Sequence, residues 1–467
     1  MQGALWTAAE IRRLVSELGL SVRGDGPARQ SAGHDFGHLV VGQPRAVVEA
    51  TCQGDVEVLL AFATAEGLRV TARGAGYSQS GQSVPLDGIS LDVGRLDHVS
   101  PPDTGSMTLE CGAGARWRNI VRRCANRGVL PEVMPLNLDL TVGGVLSAGG
   151  IGATSHVYGP AVATVTEVGG VTGDGRGLLS TPAAPDGLCA ALLAGLGRAG
   201  VITSVRLRLR RVRPRVRVFC LLYESAAEWL GDQRRLADER GVDYLEGLCV
   251  ARVLGTRTTP AGRRPAATWS YVSLVGIEYE DGQAPSGEDA VRGLSGKLMF
   301  VDDDDTFDYA ARYDGRFEAM HRTGAWTQAH PWIETLLPEG ILPTLLPDLL
   351  EAIPMFLGDG HRVALVAQRG PALFMFPKPG PAVAFSVLPV GVAEGLREDA
   401  LRALRRVHDL GTGAGGKRYL SGWLGMMDEP AWRAHYGDAF DDWIAAKQRF
   451  DPRGTLVSTL FPGASRG

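Results

Sequence analysis

Glycine density constrains this chain more than any other feature. "TARGAGYSQSGQS" (71–83) and "TVGGVLSAGGIGATSHVYGP" (141–160) crowd glycines next to apolar segments, where a regular helix or strand is weakened by them. In the first stretch Gly74, Gly76 and Gly81 permit positive φ angles, so several backbone N–H groups can turn inward as a nest for an anion such as a pyrophosphate. The spacing is not G-x-G-x-x-G, and the chain runs on into a further strand, "SVPLDGISLDV", where a Rossmann loop opens a helix. A Rossmann NAD site is therefore disfavoured. From this loop alone a plain glycine-rich turn reads equally well. The second stretch shifts the balance, because Gly143, Gly144, Gly149, Gly150 and Gly152 let the backbone approach a large flat ligand closely. Two such loops predict a cofactor between them.

The surrounding pattern is α+β. "DVEVLLAFATAEG" and "ARWRNIVRRCANRG" have helical periodicity, the latter ended by Gly128, whereas "LRVTARG", "GISLDVGRL" and "MTLECGAG" read as strands. After Pro214 glycines thin out and longer apolar strands and helices take over, which marks the start of a second domain. "VRLRLRRVRPRVRV" (205–218) alternates Arg with Val and Leu and predicts a strand with one wet basic face. "RTTPAGRRPAA" and "VDDDDTFD" read as loops, with Asp302–Asp305 an exposed solvated turn in preference to a cation site. A net charge of -4 over 467 residues gives no basic excess for nucleic acid. The six cysteines form no CxxC pair and sit among apolar neighbours, so buried free thiols and a cytoplasmic setting are expected. Thr7 and Glu10 are spaced as a capping box, no signal-peptide core precedes them, and no apolar run is long enough to span a bilayer.

With these stretches in hand, the chain resembles the FAD-linked oxidases of the vanillyl-alcohol oxidase, or PCMH, type, and within them the cytokinin dehydrogenases. The resemblance rests on "AGHDFGHLVVGQPRAVV", "ARGAGYSQSGQ", "LTVGGVLSAGGIGATSHVYGP", "VTEVGGVTGDG", "LLAGLGRAGVIT", "DYLEGLCV", "AHPWIETLLP", "KRYL" and "HYGDAFDDWIAAKQRFDPRGTL", in that order. It implies an α+β fold with a bipartite FAD domain, residues 1–213 and 419–467, around an inserted substrate or cap domain, 214–418. It further implies that Arg73, Gly74, Ala75, Gly76 and Ser78 line the FAD pyrophosphate, with Tyr77 and Gln82 in the same loop. Thr141, Gly143, Gly144, Ser147 and Gly152 form the second wall, Val201 and Ile202 lie near the adenine or flavin edge, and Tyr419 returns to the flavin side. The family's glutamine near the chain end is absent, and Ser458 and Thr459 stand there instead.

Two departures bear on chemistry. Tyr77 occupies the place of the histidine that carries the family's covalent flavin link, and Asp139 that of the cysteine of bicovalent relatives, so non-covalent FAD is expected. Leu136 stands where the family holds its substrate aspartate, with Asn137 and Asp139 nearby. Asp139, Glu246 and Glu334 are the candidate catalytic carboxylates, and Leu136, Asn137 and Trp332 the candidate pocket wall. Glu246 and Glu334 together suit an amine-bearing substrate; His330, His156 and Tyr158 read as structural. The expected activity is hydride transfer from a C–N or C–OH carbon of a small molecule, with O2 or an electron carrier as acceptor and a role in specialised metabolism. The alternatives are a non-redox cyclase, isomerase or metabolite-binding protein on the same scaffold, and a cytokinin dehydrogenase with a rearranged base.

Overall fold

The computed structural model describes residues 7–461 apart from 239, 240, 260, 261, 359, 379 and 426. Three sheets organise these residues. The first has four strands in the order Ser21–Arg23, Ala46–Glu49, Ile89–Asp92, Val70–Arg73, the last three parallel. The helix Gln53–Glu66 lies in the same chain segment, and Gly67 ends it in the left-handed conformation at φ 67°. The apolar side of this layer, Ile11, Val48, Leu60, Ile89 and Leu91 among others, forms one core.

The second sheet is antiparallel, with strands Thr108–Gly112, Gly200–Arg211, Val165–Thr172 and Gly177–Ser180 in order and Val129–Pro131 beside Gly200–Arg211. Its core includes Trp117, Ile120 and Cys124 from the amphipathic helix Trp117–Ala125. The third sheet has eight strands, all antiparallel, running Lys297–Asp305, Arg215–Tyr223, Gly262–Tyr279, Tyr244–Thr259, Gly360–Val366, Ala382–Val387, Ile333–Pro338 and Lys417–Arg418. Leu230, Leu346, Leu349 and Leu404, from the helices Ala226–Asp238, Leu342–Glu351 and Arg397–Gly413, pack into its core. Near the chain end the strand Val70–Arg73 is met again: Val70 N donates to Thr455 O at 2.8 Å and Val457 N to Val70 O at 3.0 Å.

The structure corrects three expectations. The arginine-alternating segment is two strands of different sheets, separated at Pro214, and its basic face is paired in place of being merely wet: Arg206 meets Glu110 and Glu167, Arg208 meets Glu132, and the buried Arg210 meets the buried Glu278 at 2.8 Å. The acidic run is the end of the strand Lys297–Asp305; Asp303 opposes Arg217 in register and receives both arms of its guanidinium at 2.8 and 2.6 Å. Asp305 then caps the next helix, accepting from Phe307 N at 2.8 Å. The "RTTPAGRRPAA" segment is a hairpin ladder reaching Thr259 and resuming at Gly262, its turn residues 260 and 261 lying outside the described residues.

The Thr7–Glu10 capping box forms as expected, with the threonine hydroxyl accepting from Glu10 N and the glutamate from Thr7 N. All six cysteines are free; five are buried, and Cys52 is exposed at a helix start. No helix among the described residues is long and apolar enough to cross a membrane.

Candidate active site

The first glycine loop leaves the strand Val70–Arg73 and is held from three directions. The Asp35 carboxylate accepts from Gly81 N at 2.8 Å and from Ser78 Oγ at 2.9 Å; burial nonetheless pushes its pKa up to about 6. Gln82 Nε2 donates to the carbonyls of Leu420 at 3.0 Å and Gly422 at 3.2 Å. Thr459 Oγ1 donates to Gly81 O at 2.9 Å, so the chain end that lacks the family glutamine braces the loop from behind. Gly76 and Gly81 sit at φ 75° and 78°, where a side chain is strained. A Cβ on Gly74 would lie 2.2 Å from Thr141 Oγ1, which places the two glycine loops in direct contact.

A cavity of about 250 Å³ opens between these loops and the eight-stranded sheet. Arg73, Gly74, Ala75, Gly76, Tyr77, Ser78 and Gln82 line it from the first loop, and Thr141, Gly143, Gly144 and Ser147 from the second. Val201, Ile202, Tyr419, Leu136, Asn137, Trp332 and Glu334 complete the expected residues brought there. Tyr419 is fixed by its hydroxyl, which accepts from Gly150 N at 2.8 Å. Tyr77 packs against Phe36 and Trp326 at centroid distances of 5.5 and 5.6 Å, and its hydroxyl faces the Asn137 side chain. Gly152 lies instead on an adjoining cavity of about 70 Å³, which shares Leu136, Glu334 and Arg362 with the first.

The three candidate carboxylates have different environments. Asp139 lines neither cavity: Arg118 holds it at 2.9 Å and bridges to Asp314 at 2.5 Å, which removes it as a base candidate. Glu246 lines the smaller cavity and is spent in an ion-pair cluster, with Arg312 at 2.7 Å, Arg362 at 3.2 Å and Tyr313 Oη at 2.7 Å. Burial by itself would raise its pKa, but the two guanidiniums outweigh it and hold the carboxyl below its ordinary range. Glu246→Gln should therefore cost about 3–5 kcal/mol of unfolding free energy in a denaturant titration, because two buried guanidiniums lose their counter-charge. The wild-type contribution is complete above the ordinary carboxylate range and fades as pH falls through the depressed folded value, so the variant loses that acid dependence as well.

Glu334 is the carboxyl that faces both cavities. It accepts from Ser386 Oγ at 3.1 Å and Ser421 Oγ at 3.3 Å, and among the described residues it has no ion-pair partner. Burial raises its pKa above the ordinary value, against the pull of the two serines and Arg362. A buried carboxyl with a raised pKa, set beside a ligand cavity, is suited to moving a proton.

The histidines do not join this group. His330 is fully buried, with Nδ1 at 3.0 Å from Phe36 O and Nε2 at 3.0 Å from Val390 O, and burial pulls its pKa down to about 4. His156 likewise lies between the carbonyls of Ala153 and Val242, and Tyr158 lines neither cavity. Sequence reasoning missed Asp35, Gln79, Arg316, Phe317 and Arg362. Asp35 lies within the "AGHDFGH" stretch and was within reach; Arg316, on an ordinary-looking helix Asp314–Arg322, carries no local signal.

The site suits FAD on its own features. Two mutually contacting glycine loops border one continuous cavity, and the buried Gln79 Oε1 on its wall has no hydrogen-bond partner among the described residues. Residues 44–178 match the FAD binding domain family. The fold and site are those of an FAD-dependent oxidoreductase, with FAD as cofactor. More particularly, the chain is similar over most of its length to cytokinin dehydrogenases. It is 27% identical to cytokinin dehydrogenase 10 of Oryza sativa subsp. japonica, over 98% of this chain and 90% of that one. It is 29% identical to cytokinin dehydrogenase 8 of Oryza sativa subsp. indica, over 91% and 89%. An uncharacterised oxidoreductase of the fasciation locus of Rhodococcoides fascians is 26% identical, over 91% and 95%.

Proposed function

We propose that the protein oxidises a small molecule at a C–OH or C–N carbon, with Glu334 as proton acceptor and FAD held without a covalent bond. When bound, FAD supplies the acceptor for the hydride leaving that carbon. Arg73, Gly74, Ala75, Gly76 and Ser78 hold the pyrophosphate side, and Thr141, Gly143, Gly144, Ser147, Val201, Ile202 and Tyr419 the remaining walls. Tyr77 offers a phenol where the family offers a histidine, and it serves as an aromatic wall. The observation that carries the reading is the position of Glu334: a carboxyl buried, with no ion-pair partner among the described residues, on the same cavity as both glycine loops. Glu334 takes the hydroxyl or amine proton, while Trp332, Phe317 and Leu136 exclude water around the reacting carbon.

In this reading residues 1–213 and 419–467 form the FAD domain and 214–418 the inserted cap, residues 1–6 and 462–467 lying outside the described ones. The change of sheet at Pro214 and the pairing of Thr455–Val457 with Val70 support it. Free, mostly buried thiols fit a cytoplasmic setting. O2 or an electron carrier reoxidises the cofactor, in specialised metabolism. A non-redox role is not favoured, since the relatives are dehydrogenases and an oxidoreductase. The relatives' names point to cytokinins, but Leu136 stands in place of their aspartate and Asp139 is turned to Arg118.

The test is anaerobic mixing of the holoenzyme with panels of small hydroxy acids, amines and isopentenyladenine, following the visible flavin band. Bleaching by a hydroxy acid or a non-cytokinin amine is expected. Bleaching by isopentenyladenine alone would restore the cytokinin reading, and a flavin that only dithionite reduces would contradict the redox role.

A further inference from the structure

The charges around the cavities do not sum to an amine site. Arg312, Arg316 and Arg362 face them from one side, against Glu246 and Glu334. Arg312 and Arg362 are engaged by Glu246, whose negative charge is thereby used within the protein. Arg316 lines the larger cavity and has no carboxylate within ion-pair distance among the described residues; its protein acceptor is the carbonyl of Leu388. A guanidinium carries five N–H donors, so most of this one's capacity is open to a ligand. Its carbon lies 5.9 Å from the centre of the Trp332 ring, and Phe317, one residue on in the same helix, joins Trp332 on the cavity wall. Burial, with the repulsion of Arg362 added, pulls its pKa down to about 10, so it stays charged at neutral pH while lacking a counter-ion.

We infer that the substrate is an anion, a small carboxylic acid whose carboxylate is held by Arg316 in the field of Arg362, with its oxidisable carbon directed toward Glu334. This deepens the proposed function and rests on the cavity being the substrate site. A carboxylate supplies the planar, bidentate partner that a guanidinium accepts best and removes the cost of a desolvated, unpaired charge. The expectation of a simple amine substrate gives way for the same reason: a cation would meet Arg316 unshielded, and Glu246 has no charge left to offer it. In the reaction the carboxylate remains intact. The adjacent carbon would give up its C–H electron pair as hydride, which FAD held by the two glycine loops would accept, while the O–H or N–H proton passes to the Glu334 carboxylate and a C=O or C=N bond forms. One two-electron oxidation is balanced by one two-electron reduction of the flavin.

The experiment is equilibrium binding of benzoate, benzamide and benzylamine to the holoenzyme, read by tryptophan fluorescence and by thermal shift. Benzoate is expected to bind saturably and the most tightly of the three, and Arg316→Ala to weaken it at least ten-fold. Arg316→Gln, which keeps size and hydrogen bonding but not charge, should weaken it comparably, and Arg316→Lys less. Circular dichroism and flavin content establish that each variant is folded and loaded. Benzylamine binding as tightly as benzoate, wild-type protein that binds no benzoate, or benzoate affinity unchanged in folded Arg316→Ala and Arg316→Gln would each overturn the inference. Binding needs no turnover, so failure here leaves the proton-acceptor role of Glu334 to its own rate measurement.

Discussion

Glu334→Gln is expected to keep its bound flavin and to lose about 10²–10⁴-fold in the rate of flavin reduction, the usual contribution of a positioned general base. The substitution preserves shape, keeps an acceptor oxygen for one of Ser386 and Ser421 and offers an NH2 to the hydroxyl oxygen of the other, so the loss is not one of packing. The pH profile gives the sign. A base works ionised, so the wild-type rate rises with pH through the Glu334 pKa, which burial places above the ordinary 4.5. In the variant that acid limb disappears. Equal rates for both proteins, or an acid limb that survives the substitution, would remove Glu334 from the reaction and reopen the search for a base.

Gly74→Val should abolish cofactor retention, with FAD affinity lowered by at least about 10²-fold, or about 2.7 kcal/mol. The Cβ would stand 2.2 Å from Thr141 Oγ1, and the added methyls would enter the cavity between the loops. Gly74 itself belongs to none of the main cores, so the chain should still fold and circular dichroism should change little. Gly340→Val is the control, because nothing lies within 4 Å of a Cβ there. A Gly74→Val protein purified with a full complement of FAD would mean that the cofactor does not lie against this loop.

What the sequence made legible is what depends on local spacing. The glycine loops could be read because positive φ and close approach leave a mark in residue type, and the helix Gln53–Glu66 could be read because its apolar spacing and terminal Gly67 are contiguous. Glu334 was reachable through resemblance, but its setting was not, since the groups that face it, Ser386, Ser421 and Arg362, lie far from it in sequence. The misreadings share this origin. Asp303 looks like a solvated turn until Arg217, 86 residues away, is brought opposite it. Glu246 looks free until Arg312 and Arg362 converge on it, and Asp139 looks available until Arg118 is seen to hold it. Charge patterns say which groups are present; the tertiary fold decides which charges are already answered.

The measurement that bears most directly on the central claim is the absorbance spectrum of the purified protein before and after acid precipitation. A flavin band in the native protein that passes entirely into the supernatant is the expected result, with FAD seated between two glycine loops and Tyr77 in place of a linking histidine. Colour kept in the pellet would contradict non-covalent attachment, and a protein that stays colourless even after incubation with FAD would contradict the assignment of this cavity to the cofactor.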